Sequence, residues 1–325
     1  MNDSELVLVL SSIMLQSAPL IIAVCGEILT ERSGVVNLSL DGSLLLAALA
    51  GFVAALAAGS VWVGFLAAAA VGASLALIVA LGSIRLGQNQ VAVGFVLTLL
   101  ADDLSAFLGQ RYTRLPGPTV ARGGIPLLEE IPLLGPIFFD QDIVVYFALA
   151  LVVVCWWFLN RSQPGLRLRS AGERPEAAYA RGVNVNRQRY LYALVGGALV
   201  GVAGAAYSLD VKIGWSEGHT RGIGWITLAI VIFGGWSPLR GALGALLFGA
   251  TKALATVLQR GLPGVPVVAF NAIPWLLMIA VLLAVESEGA GRLINLLPRP
   301  ARRPLRSLLR VASPLALGQT FEPDK

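Results

Sequence analysis

Charge is what this sequence has least of. Asp, Glu, Lys and Arg make up 13% of its 325 residues, where a soluble domain carries about 25%. Hydrophobic residues reach 56% and mean hydropathy is +0.77. So little polar material cannot cover a water-soluble globule of this length, and so apolar a chain is not intrinsically disordered. Cysteine is nearly absent: Cys25 and Cys155 both lie inside apolar runs, which excludes a disulfide framework. The single histidine, His219, cannot build a His-based metal site alone. A phosphate-binding loop is missing too: Gly244 and Gly249 have its spacing, but Ala250-Thr251 follow where Gly249 should run directly into Lys. No Ser/His/Asp arrangement, catalytic carboxylate pair or metal-ligand spacing stands out, which argues against an intramembrane enzyme.

What is present is long apolar runs separated by arginine. Runs at 6–26, 38–58, 61–82, 89–109, 142–160, 191–211, 222–236, 240–259 and 267–285 predict an all-α polytopic membrane protein of about nine transmembrane helices. The run 222–236 is short and holds Gly and Trp, which fits either a broken helix near a pathway or a tilted ordinary span. Residues 1–290 are expected to form the membrane domain and 291–325 a basic, Pro-rich cytoplasmic tail lying on anionic lipid or extending freely. The acidic N-terminus lacks the positive region of a cleaved signal, so the first run is expected to stay as a span. Net charge is +5, and 21 of the 24 basic residues are Arg. They fall between apolar runs, so they report topology rather than nucleic-acid binding. Seven Arg in 161–190 and six after 286 put both segments in the cytoplasm. The Pro- and Gly-rich stretch 110–141 is then an ordered external loop.

Two kinds of segment carry chemistry. The stretch 170–184 predicts a short cytoplasmic helix, with Pro175 in its first turn, Glu173 and Glu176 at the positive end of its dipole and Gly182 just past its end. Ala177, Ala178 and Ala180 keep it slim enough to enter a groove; a plain connecting helix is the alternative. Polar groups within apolar runs are the other pointer. Asp102, Asp103 and Lys252 line a wet passage, with an Asp–Lys pair, or else Asp102 sits near the outer interface. Asn37, Ser39 and Asp41 open the second run, Asp41 either as that helix's N-cap or as a pathway group. Asn89 and Gln90 suit a sugar hydroxyl or base edge, or bonds between helices. Trp215 and Trp225 offer stacking faces or belong to an interfacial belt.

Several motifs resemble one family in order. Gly26-Glu27, Leu29-Thr30-Glu31-Arg32-Ser33-Gly34-Val35 and Asn37-Leu38 resemble the first cytoplasmic turn of ABC importer permeases for ribose-type sugars and nucleosides. Asn89-Gln90-Val91 with Gly94, then Trp156-Trp157-Phe158 and Gly165-Leu166-Arg167-Leu168-Arg169, follow. Gly172-Glu173, Pro175-Glu176-Ala177-Ala178 and Gly182-Val183-Asn184-Val185 resemble the family's ATPase-coupling segment. Glu217 through Ala229 and Val231-Ile232-Phe233-Gly234 complete the series, so the resemblance spans about 20–285. The nearest group is the shorter of two permeases in nucleoside importers that use a basic-membrane-type lipoprotein. This chain departs from it at Asp102-Asp103, where small or amide residues are usual, and at His219-Thr220-Arg221-Gly222, where Met-Thr-Ala-Gly is usual.

The resemblance implies a permease subunit of an ATP-driven importer in the bacterial inner membrane. Its partners would be ABC ATPase subunits, a second, different permease and a substrate-binding lipoprotein, with ATP bound by the ATPase and no cofactor in this chain. Gly172, Glu173, Pro175, Glu176, Ala177, Ala178 and Gly182 would couple to the ATPase. Asn37, Ser39, Asp41, Asn89, Gln90, Asp102, Asp103, Thr220, Trp225 and Lys252 would line the pathway. The solute would be a nucleoside or sugar-like molecule, a simple sugar or a ribityl-type vitamin. A secondary transporter using Asp102, Asp103 and Lys252 as an ion relay is the rival from another class.

Overall fold

The computed structural model describes residues 3–126, 128, 129, 131, 135–262, 264–286 and 313–322. Among them there is no β-strand, only isolated bridges from Thr113 to Trp215 and from Arg122 to Asp142. The helices are α1 (Asp3–Arg32), α2 (Leu40–Ala58), α3 (Val61–Ala80), α4 (Gln90–Gly109), α5 (Ile143–Arg161) and α6 (Gln163–Glu173), followed by α7 (Pro175–Ala180), α8 (Val185–Ala206), α9 (Ile223–Phe233), α10 (Pro238–Gly261), α11 (Val267–Asn271) and α12 (Ile273–Glu286). π-helical turns extend α3 over Leu81–Arg85 and α8 over Tyr207–Val211.

Seven stretches of the described chain, not nine, are long and apolar enough to cross a membrane: Leu6–Arg32, Leu40–Ala58, Val61–Arg85, Gln90–Tyr112, Ile143–Arg161, Val185–Val211 and Pro238–Gln259. The other two expected spans are apolar but short. α9 has 11 residues, about 16 Å of helix against a hydrocarbon core of about 30 Å. It stops where Gly235 (φ +61) and Trp236 (φ +52) turn the chain. The run 267–285 divides at Ala272 into α11 and α12, and Pro274 in the first turn of α12 has no N–H to continue a helix.

α8 is the central post, packed against α1, α2 and α3. Glycine lets these backbones touch. A Cβ on Gly72 would lie 2.2 Å from the Gly197 carbonyl, and one on Gly201 would lie 2.0 Å from that of Ala68. Close small-residue contact is how helices associate where lipid removes the hydrophobic drive between them. α4 is the least embedded span, with 28% of its apolar window buried. Phe95, Val96, Leu99, Leu100 and Phe107 form its outward stripe.

The bundle has two distinct ends. At one, Arg32 closes α1, donating to the carbonyls of Gly235 and Trp236 and pairing with Glu173 at 3.4 Å. The 33–39 connection, α6, α7 and residues 313–322 gather there. At the other end, the expected ordered loop folds back on the bundle. Val120 donates to the Leu209 carbonyl at 3.1 Å, and the Trp215 ring is buried against Gly109. Residues 287–312, which include most of the expected tail 291–325, lie outside the described residues.

Candidate translocation site

The broken helix organises the site. α9 begins part-way through the bundle, so the free N–H groups of its first turn are buried and need acceptors. Asp41 supplies them. Its Oδ2 accepts from Gly222 N at 3.1 Å and its Oδ1 from Gly224 N at 2.8 Å. Asp41 is 5% exposed. It lies in the first turn of α2 as well, so one carboxylate faces the positive ends of two helices. It is not the N-cap of its own helix, the simpler of the two sequence readings; Ser39 occupies that position. Gly222 at φ +87 provides the left-handed turn into α9, and a Cβ on Gly224 would lie 2.3 Å from Asp41 N. Both glycines are fixed by this cap.

Beside the cap, Asp102 on α4 accepts from Arg221 at 2.9 Å. The expected Asp–Lys pair is therefore an Asp–Arg pair. Lys252 instead stands over the Tyr207 ring, 5.5 Å from its centroid. Asp103 is exposed on the outward stripe of α4. A cavity of about 430 Å³ adjoins the cap, bounded by α1, α10, the π-turn of α8, the 212–222 loop and the 270–275 stretch. Its walls carry Gln16, His219, Arg221, Lys252, Thr256 and Trp275. Tyr207 Oη and His219 Nε2, both at this cavity, are buried without a hydrogen-bond partner among the described residues, and Thr220 Oγ1 shares that condition next to the cap. Such groups cost free energy unless something occupies them. His219 Nδ1 lies 2.8 Å from the Ser216 carbonyl and donates to it, and burial pushes the imidazole pKa down to about 4.

The remaining sequence candidates divide by place. Asn37, Ser39, Asn89 and Gln90 brace the end of the bundle rather than the cavity. Asn37 Oδ1 accepts from Ser39 Oγ at 2.6 Å, Gln90 Oε1 from Val36 N at 2.7 Å, and Asn89 caps α4. Trp225 is half-buried on α9 against the core, and Trp215 is fully buried, so Trp215 has no open face for stacking. Sequence reasoning missed Gln16, Tyr207, Arg221 and Trp275 as cavity groups. The signal available for Arg221 was a cation set between His219-Thr220 and a glycine just ahead of an apolar run.

The 170–184 stretch forms two helices, with α7 six residues long. Gly182 N donates to Tyr179 O at 2.8 Å and Val183 N to Ala178 O at 3.0 Å, with Gly182 at φ +82. This is a Schellman close. Glu176, Ala177, Tyr179 and Ala180 face outward. Ala178 and Pro175 face inward, Ala178 against Ala171 and Val185.

Comparison with known proteins places this architecture. The family described as the branched-chain amino acid transport system / permease component matches residues 9–282. A putative glucose ABC transporter permease of Haloferax volcanii is 41% identical over 72% of this chain and 73% of its own. A guanosine ABC transporter permease of Bacillus subtilis is 34% identical over 77% and 82%. A nucleoside ABC transporter permease of Lactococcus lactis is 33% identical over 78% and 84%. A chain matched by that family over nearly all its apolar helices, with relatives this similar, belongs to the family: it is an ABC transporter permease, a multi-pass membrane protein and not an enzyme.

Proposed function

We propose that this chain forms one half of the translocation pathway of an ATP-driven importer for a nucleoside or a related sugar-like solute. The observation that carries the reading is the half-length helix α9, whose capped N-terminus adjoins a polar-walled cavity of about 430 Å³. That size is in the range of small-molecule sites. Broken helices at mid-depth are a recurrent way to expose backbone groups to a solute. Gln16, Thr256 and the unpartnered Tyr207 and His219 groups meet hydroxyls or a base edge, and Trp275 offers an apolar face. Relatives named for guanosine, nucleoside and glucose transport support both solute classes.

In this reading the end carrying α7 is cytoplasmic, in a bacterial inner membrane. An ABC ATPase docks on the outward face of α7, Glu176, Ala177, Tyr179 and Ala180. A second, different permease completes the passage, and an extracellular binding lipoprotein delivers the solute. ATP is held by the ATPase alone. The test is uptake of labelled guanosine and glucose by reconstituted complexes, with Ala177→Arg as the docking variant. Because Ala177 is exposed, the substitution leaves the bundle intact and places a charge in the contact, which lowers ATPase copurification about tenfold or more. Normal copurification and uptake with Ala177→Arg would remove α7 from the interface.

A further inference from the structure

The stretch 313–322 packs as an element of the bundle. Ala316 N donates to Gly172 O at 2.9 Å and Gly318 N to Gly34 O at 3.0 Å. Arg189, 1% exposed, donates through Nη1 to Gln319 O at 2.7 Å. A charge withdrawn from water this far needs acceptors, and the one it has among the described residues is a carbonyl of this stretch, Nε and Nη2 finding none there. Phe321 meets Tyr179 with ring centroids 5.7 Å apart and packs on Ala171, Ala178 and Val185. Gly34 has no side chain where one would crowd the stretch: its Cβ would lie 3.0 Å from Arg189 Nη2 and 3.3 Å from Ala316 O. Ten residues thus touch the joint after α1, the end of α6, the outward helix α7 and the first turns of α8.

The joint leads to the site. From Gly34 the connection is pinned by Gln90 at Val36, by Asn37 to Ser39, and by Thr98 Oγ1 to Leu38 O at 2.7 Å. Asp41 follows, holding the N-terminus of α9. We propose that residues 313–322 are a clamp that fastens α7 to the α1–α2 joint, so that a displacement of α7 reaches the Asp41–α9 site. This rests on the reading of α7 as the ATPase-docking helix. The clamp positions other groups and touches no solute.

The experiment uses the full complex with its ATPase, second permease and binding protein. A spin label on Glu217→Cys, in the exposed loop beside the site, reports ATP-dependent change after vanadate trapping, whatever the solute. The two native cysteines are buried. A chain ending at Ala312 is expected to keep ATPase copurification but to lose the label's response about tenfold, in the range of allosteric couplings. Phe321→Ala keeps the backbone bonds and removes the contact with Tyr179, so its response falls about threefold, the worth of one aromatic contact. It also decides the matter if the shortened chain does not accumulate. Unchanged response in Phe321→Ala and in the shortened chain overturns the clamp, as does an enhanced response, which makes the stretch a brake. Loss of copurified ATPase in both variants overturns it as well, making the stretch a docking surface. An intact wild-type complex with no ATP-dependent response at residue 217 also counts against it. Failure of the wild-type chain to bind any ATPase is separate and sinks the function proposed above.

Discussion

Two residues set measurable limits on the site. Asp41 gives both carboxylate oxygens to backbone donors of α9. Asp41→Asn turns one acceptor into a donor facing an N–H, and bonds to charged groups are worth about 1.5–3 kcal/mol. The expected result is a lower melting temperature in detergent and uptake reduced about tenfold or more, by the same conversion; equal melting and uptake would reduce the cap to incidental contact. His219 gives a pH dependence of definite sign. The half-buried imidazole takes a proton at about 4, while the unfolded chain takes one near 6.5. The unfolded state therefore binds more protons between those values. Stability is full above about 6.5 and falls as pH drops toward 4, by on the order of 3 kcal/mol at 1.36 kcal/mol per unit. His219→Gln should flatten the melting curve across that window, and parallel curves for the two proteins would exclude the imidazole as the cause.

At the scale of elements, the close of α7 isolates a purely conformational effect. Gly182 has φ +82 and nothing within 4 Å of where a Cβ would stand. Any loss in Gly182→Val is therefore backbone strain, about 1–2 kcal/mol for an L-residue in this region and more for a branched one. Gly182→Asn, which tolerates the left-handed region, should restore ATPase stimulation that Gly182→Val loses; equal loss in both would mean that the bare surface matters rather than the turn. This close was legible in the sequence because it is local: Pro175 at the start and Gly182 after the end punctuate one short helix. The Asp41 cap was not legible, since its partners lie 181 and 183 residues away. Seven of the nine expected spans are long enough among the described residues, and the other two are the short apolar helices α9 and α11–α12. Hydropathy marked the run 222–236 as apolar and short, and the turn at Gly235 and Trp236 ends α9 within it at 11 residues. Ala178 looked equivalent to Ala177 along the chain, and only the packing of Val185 and Phe321 around it shows that it faces inward.

For the whole molecule, the unpartnered face of α4 decides how the chain sits in its complex. Seven long helices make a bundle in which α4 is mostly outward, and Phe95, Val96, Leu99, Leu100 and Phe107 suit either lipid or another protein. Asp103 on the same face does not suit lipid. It is exposed there, and a carboxylate in hydrocarbon costs about 2.5–3.5 kcal/mol on insertion scales. The neighbouring Asp102 is already engaged by Arg221 and cannot share a counter-charge easily. In the complex proposed above, Asp103 would then face water in the passage or a polar group of the second permease. Replacing it separates these environments from lipid. Against lipid, Asp103→Leu would raise the yield of folded chain and leave uptake alone. Against the passage or the second permease, Asp103→Leu lowers uptake or splits the permease pair, while the isolated chain still inserts. The measurement is the intact-complex mass together with uptake of labelled guanosine and glucose in the same proteoliposomes. The expected outcome is a reduced fraction of paired permease or at least a severalfold loss of uptake. A better yield with full uptake would turn α4 toward the bilayer and put the second permease against another face.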